Sequence, residues 1–258
     1  MNRFFKILRA VSALPDDACG LPWDWPAHSG PRLDARNALY MSLLDEQAAS
    51  ASAPRPNKEA AAAVVAAQRA FGDLRGLLAG VQDDALDSVP LEGEWSLREV
   101  LTHLLEVERN YFKQTLYASK RADDDPIVSD RPPPPTSQEI AGGVAEWIER
   151  LSIARDASRA LMEFDAEVLT RPTRWVNHDV DVRFRLHRFG VHLAEHTIQC
   201  QKTLAWLGLG PGEAAGIARL ISRERGSHEL LSDAATLQRL DDVHAERLAA
   251  IAAATRPA

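Results

Sequence analysis

Residues 93–108 read GEWSLREVLTHLLEVE, in which Ser96 and Glu99 form a capping box directly ahead of a periodic apolar run. The serine oxygen can accept from the Glu99 amide while the glutamate carboxylate reaches back to the Ser96 amide. The pattern therefore predicts a helix over about 96–119. Val100, Leu104, Leu105, Val107 and Phe112 supply its apolar positions. A second stripe of Ser96, His103, Asn110 and Gln114 is unusually polar for such a helix. A buried polar line costs free energy unless water, metal or ligand satisfies it.

Helical signals extend in both directions from this segment. Upstream, Asn57 is placed to cap a longer helix with Val64, Val65, Phe71, Leu74 and Leu78 as its apolar stripe. Downstream, residues 121–135 carry DDDP and PPPP, which cannot continue a helix and predict an ordered loop or a stiff crossover. Thr136 and Glu139 offer a second capping box, opening a helix expected over 136–164 with Ile140, Val144, Trp147, Leu151 and Leu161 inward. Residues 165–182, with Pro172, Trp175, Asn177 and His178, lack a helical period and read as a structured loop. A fourth helix over about 183–207 is stopped by Gly208 and Gly210.

The outer segments are read more coarsely. Residues 15–33 are dense in Pro and Gly, an irregular connection whose Trp23 and Trp25 are expected to pack on the domain. A short helix is expected over 34–49, and two more around 217–231 and 237–251. The organisation is thus a core over 57–210, with an N-terminal extension over 1–56 and a C-terminal helical extension over 211–258 packed on it.

Composition agrees with an all-α protein, because Ala, Leu, Glu and Arg are abundant while β-branched and aromatic residues are comparatively few. A net charge of −7 repels polyphosphate backbones, and no local basic patch offsets it, so no nucleic-acid partner is expected. Cys19 and Cys200 are too few for a disulfide framework or a Cys-rich zinc site, and a reducing cytoplasm fits them. In the opening MNRFFKILRAVSAL, Lys6 and Arg9 interrupt the apolar run that a signal peptide needs. A short docked helix is expected there rather than a membrane anchor, and no stretch approaches the roughly 20 apolar residues that span a bilayer.

The chemistry concentrates in residues 191–199, VHLAEHTIQ. At about 100° per residue, His192 and His196 lie about 40° apart on one helix face, with Gln199 on the same stripe. His187 lies about 140° from His192 and faces elsewhere. Two ligands are too few for a metal that prefers three or four, and His103 on the polar stripe is the best third. Three neutral imidazoles with an open position suit zinc, and nickel or ferrous iron would also be compatible. The stretch also matches H-x-x-E-H, the inverted zinc-protease motif, with Glu195 as general base. That class needs a downstream carboxylate ligand. Glu224, Glu229 and Glu246 are available, but they repeat no ligand-bearing pattern and the chain lacks strands to hold an extended peptide. Histidines four apart are, by themselves, more often packing residues than ligands.

Taken together, GEWSLREVLTHLLEVE and the later RFGVHLAEHTIQCQKTLAWLG resemble the DinB-like (YfiT-like) metal-dependent superfamily. Its pattern is a Trp-Ser/Thr helix start, a histidine one or two turns in, and a late helix with H-x3-H-x2-Q. The resemblance covers residues 57–210 and implies an up-up-down-down four-helix bundle with a divalent metal between its second and fourth helices. It makes His103, His192 and His196 the ligands. Characterised relatives include S-transferases and isomerases that use mycothiol or bacillithiol, and a metal-binding domain in ergothioneine synthesis. The resemblance therefore implies a low-molecular-weight thiol held as thiolate and presented to an electrophile. The Ala- and Arg-rich composition would suit a high-GC bacterium, a hint towards mycothiol.

Arg185 and Arg188, within about 40° of the metal stripe, could pair with an anionic cofactor group or form solvent-facing ion pairs. Glu195 is expected to support a ligand or pair with an arginine, and Gln199 to bond a metal-bound water or His103. Trp175, Asn177 and His178 could line the pocket mouth. His228 and His244 have no partner that spacing identifies. Two functions stay open. One is a metalloenzyme, a thiol-dependent transferase or isomerase or a metal-assisted hydrolase, acting on a small electrophilic molecule. The other is a noncatalytic metal- or ligand-binding bundle, which could act as a homodimer. An open cavity reaching the imidazoles favours the first, and a buried metal the second.

Overall fold

The computed structural model of the protein describes residues 2–23 and 33–254. The chain opens with α1 (Arg3–Ser12), a 3-10 turn (Asp16–Gly20) and a two-residue pairing of β1 (Pro22–Trp23) with β2 (Leu33–Asp34), followed by α2 (Ala35–Ser52) and α3 (Glu59–Ala79). A 3-10 turn (Asp83–Asp87) leads to α4 (Leu97–Lys120), α5 (Ser137–Ile140), α6 (Val144–Ala157), a further 3-10 segment (Ser158–Glu163) and α7 (Ala166–Leu169). An antiparallel hairpin of β3 (Pro172–Trp175) and β4 (His178–Asp181) precedes α8 (Val182–Trp206), α9 (Glu213–His228) and α10 (Ala234–Ala254). Among the described residues the protein is all-α apart from these two small pairings. The expected packing of the Trp23 and Trp25 side chains lies outside the described residues.

The Ser96 capping box forms as its sequence dictates: Ser96 N donates to Glu99 Oε2 at 2.7 Å, and Glu99 N to Ser96 Oγ at 3.3 Å. Three local expectations need correction. Asn57 does not cap α3, whose N-cap is Lys58 with no side-chain hydrogen bond. The helix expected over 136–164 is broken. The Thr136 capping box starts only the four residues of α5, because Gly142 takes φ +95° and interrupts it. Helix α6 then starts afresh, with Asp83 Oδ1 accepting from Val144 N at 2.9 Å, and ends at Ala157 before the 3-10 segment. Val144, Trp147, Leu151 and Leu161 are nonetheless buried, while Ile140 is only partly so. Finally, the loop expected over 165–182 contains the β3–β4 hairpin, whose turn puts Val176 at φ +54°, a conformation costly for a β-branched residue.

Helix α3 is the axis of the molecule. It packs on α8 along one side and on α9 along another, while α4 packs on α8 and α6. At Gly72, Gly76 and Gly226 the α3 and α9 main chains nearly touch. An added Cβ would lie 2.5 Å from Ser222 O, 2.5 Å from Arg219 Cα and 2.6 Å from Gln68 O, respectively. Helices α1 and α2 pack on α9, α10 packs on α1 and α2, and one continuous apolar core runs through all of them. Phe4, Phe5, Leu8 and Val11 of α1 are buried in it. Among the described residues no helix is long and apolar enough to cross a membrane.

His228 and His244 acquire partners that spacing could not reveal. Both donate through Nε2 to the fully buried Glu46 of α2, at 2.8 and 2.7 Å, and Arg225 forks onto the same carboxylate at 2.8 Å through Nε and Nη2. Burial pushes the Glu46 carboxyl up, but the bonds from His228, His244 and Arg225 outweigh it and hold it well below the ordinary carboxylate range.

Candidate metal centre

Helix α8 rests its middle on α3, where Gly190 comes so close that a Cβ would lie 3.2 Å from Ala67 Cα. The turn beyond faces α4, and there His192 and His196 stand one above the other as the helical period requires. His103 meets them from α4. Its Nε2 lies 3.3 Å from His192 Nε2, which lies 3.0 Å from His196 Nε2, and the three ligating atoms fall within 4.8 Å of one another. Among the described residues these three form the group placed to hold a metal ion, whereas His228, His244 and Glu46 are joined to one another by hydrogen bonds and to Arg225. A tetrahedral ion with Zn–N bonds of about 2.0–2.1 Å demands nitrogens about 3.3 Å apart, close to the two spacings that His192 Nε2 makes here.

The protonation states also suit a metal. Burial, then the neighbouring His196 and His103, push the His192 imidazole down to about 3, and burial lowers His103 too. The shift favours the neutral imidazole in both, the form that has one ring nitrogen with a lone pair to offer a metal. Gln199 Oε1 lies 2.8 Å from His196 Nδ1. This carbonyl holds the proton on Nδ1 and leaves Nε2 free, the arrangement that outer-shell partners of metal-bound histidines provide. Gln199 therefore serves His196, not His103. His192 Nδ1 is buried without a partner.

Glu195 accepts from Arg188 Nη1 and Nη2 at 2.8 and 2.5 Å, and that pairing holds its carboxyl below the ordinary value. A glutamate so engaged is poorly suited to act as a protease base. Glu224, Glu229 and Glu246 stand outside the histidine cluster, and Glu229 pairs with Arg75. His187, as expected, faces away, near Glu59.

A cavity of about 530 Å³ opens beside the cluster, with His103, His192, Asn110, Tyr111, Trp175 and Arg185 in its wall. It reaches the surface at the exposed Val176 and Arg131. Trp175 is where the sequence put it, and its Nε1 donates to Tyr111 Oη at 3.0 Å. Asn177 and His178 do not line the cavity; His178 is stacked on Trp175 with ring centroids 6.2 Å apart. Gln114 also lines the cavity, but its amide is taken up by the 121–135 loop, donating to Ser129 O at 2.8 Å and accepting from Ser129 N at 3.0 Å. Tyr111 and Val176 went unnoticed in the sequence. The only signal for Tyr111 was an aromatic hydroxyl two turns beyond His103.

The two arginines differ. Arg188 is ion-paired, with its guanidinium 5.1 Å over the Trp175 ring. Arg185 is 5% exposed and donates from Nη2 to Arg174 O at 2.5 Å, while its Nε and Nη1 have no partner. Burial lowers its guanidinium to about 10. Cys19 and Cys200 are both free and buried, and burial pushes the Cys200 thiol up to about 12. Neither is fit to be a nucleophile.

An all-helical protein with three histidines converging from two facing helices is the class that this architecture defines. Residues 66–200 match the DinB superfamily, and the chain belongs to it. The match runs from the middle of α3 into α8 and includes His103, His192, His196 and Gln199. No curated protein matches the sequence.

Proposed function

We propose that the protein binds one divalent metal ion through Nε2 of His103, His192 and His196 and uses it in chemistry on a small electrophilic molecule. The observation that carries this reading is the convergence of three imidazole nitrogens in and beside the wall of a solvent-reaching cavity. Zinc suits the all-imidazole donor set best, with nickel and ferrous iron compatible. When bound, such an ion supplies Lewis acidity that lowers the pKa of a thiol or water at its open position. His103 and His192 face the cavity, and Gln199 orients His196. Tyr111 and Trp175, locked to each other, form the wall against which a substrate lies. The chain's own thiols are buried and protonated, so a reacting thiol must enter from outside, as mycothiol or a similar small thiol would. The two free cysteines fit a cytoplasmic location. Supporting catalysis over a noncatalytic bundle is the cavity, which gives a small molecule access to the histidines.

Elemental analysis of the wild type beside His103→Ala and His192→Ala tests the centre. One equivalent of metal is expected in the wild type and none in either variant, and metal surviving both substitutions overturns the assignment. Thiol-dependent conjugation of a generic electrophile by the metal-loaded protein is the assay that follows. Absence of turnover with every small thiol would turn the reading to hydrolysis or to binding alone.

A further inference from the structure

We infer that the cavity carries an anion subsite built on Arg185, which takes the carboxylate of the small molecule bound there. The inference rests on reading the cavity as the substrate chamber, and is independent of any metal at its far end. Arg185 is buried, lines the cavity, and has no carboxylate within ion-pair distance among the described residues. Its neighbours differ: Arg188 is matched by Glu195 and Arg174 by Asp179. Nε and Nη1 of Arg185 lack acceptors. A buried cation without a counter-charge is costly to keep, and it is the group most strengthened when an anion arrives.

The cavity also inverts the charge of the molecule. The chain carries −7, yet Arg131, Arg174, Arg185 and Arg188 face the cavity against a single acid, Glu106. With two of the four already neutralised, and with Val107, Tyr111, Trp175 and Val176 as apolar surface, the surplus suits a singly charged group on an apolar body. A carboxylate meets that description better than a dianionic phosphate.

Arg185 precedes His192 by seven residues, so the two project from nearly the same face of α8, about 10 Å apart along its axis. The Tyr111 ring bridges them, 5.9 Å from the guanidinium carbon and 5.5 Å from the His192 ring centroid. A ligand anchored by its carboxylate at Arg185 lies along Tyr111 with its other end at the histidines. The ligand class is therefore a small carboxylic acid whose reacting atom sits about two helical turns from the carboxylate.

Calorimetric titrations in EDTA, where no metal can imitate the effect, test this with phenylacetate, its neutral amide phenylacetamide, and inorganic phosphate. Wild type should bind phenylacetate at least about tenfold more tightly than the amide, as loss of a charged hydrogen bond implies. Arg185→Met should abolish that preference while the melting temperature is held or raised, and Arg185→Lys should keep part of it. Equal affinity for acid and amide, no binding of either at millimolar concentration, or an acid preference that survives in Arg185→Met overturns the subsite. Tighter binding of phosphate than of phenylacetate overturns the carboxylate assignment. If Arg185→Met fails to fold, the acid–amide comparison in wild type and in Arg185→Lys decides. Because no metal is present, failure here leaves the three-histidine reading intact, and loss of metal from the histidine variants leaves this one intact.

Discussion

Gln199 Oε1 sits 2.8 Å from His196 Nδ1, three residues back on the same helix, so one turn of α8 supplies both a candidate ligand and the group that fixes its tautomer. Gln199→Leu should keep the fold and weaken metal binding by roughly 10–100-fold, whereas Gln199→Glu should retain it. Competition with a chromogenic chelator reads this directly. Unchanged affinity in Gln199→Leu would show that the contact orients nothing.

Gly226 and Gly216 lie on one helix and make opposite predictions. A Cβ at Gly226 would meet Gln68 O at 2.6 Å, so Gly226→Ala should cost about 1–3 kcal/mol by forcing α9 off α3. A Cβ at Gly216 meets nothing within 4 Å, so Gly216→Ala should add about 0.5–1 kcal/mol through helix propensity. Urea denaturation of the two variants should move the midpoint in opposite directions.

Arg155 and Glu108 form a pair at 2.9 Å with both side chains 1% exposed, between α6 and α4. Removing one partner strands the other charge, so Glu108→Leu or Arg155→Met alone should cost about 3–5 kcal/mol. The double variant should recover most of that loss. A double-mutant cycle from denaturant titrations measures it, and additive losses would mean that the two charges do not sense each other.

The Glu46 carboxyl is depressed in the folded protein, so its contribution is fully present above the ordinary glutamate pKa, near 4.3, and is lost as pH falls below that towards its folded value. Wild type should therefore lose stability steeply from about pH 5 downwards, and Glu46→Gln should be less stable at pH 7 with a shallower acid limb. Unfolding free energies at pH 7, 5 and 3.5 compare the two slopes, and parallel curves would contradict the depressed carboxyl.

What could be read in the sequence was what the chain determines locally. The Ser96 box needs only Glu99, and the shared face of His192 and His196 needs only the helical period. His103 was legible because its stripe was polar where the helix should have been apolar. The start of α6 was not, because its cap comes from Asp83, 61 positions earlier. The β3–β4 hairpin was missed because its turn holds Val176 at positive φ, where Asn or Gly would have announced it. The state of Arg185 followed that miss, since Arg174 of the hairpin is what its guanidinium holds. The depth of the α3–α9 contact escaped because Gly72, Gly76 and Gly226 are spaced like any helical residues, and only the partner helix gives them meaning.

The backbone approach of Gly190 to Ala67 bears on how the centre is held. Helices α9, α3 and α8 lie main chain against main chain, first at Gly72, Gly76 and Gly226 and then at Gly190. His192 and His196 therefore project from a fixed jaw. His103 comes instead from α4, which packs on α8 and carries Tyr111, the residue that bonds Trp175 of the hairpin. The spacing of the α8 pair is thus set by main-chain contact, while that of His103 is set by how α4 packs on α8 and α6.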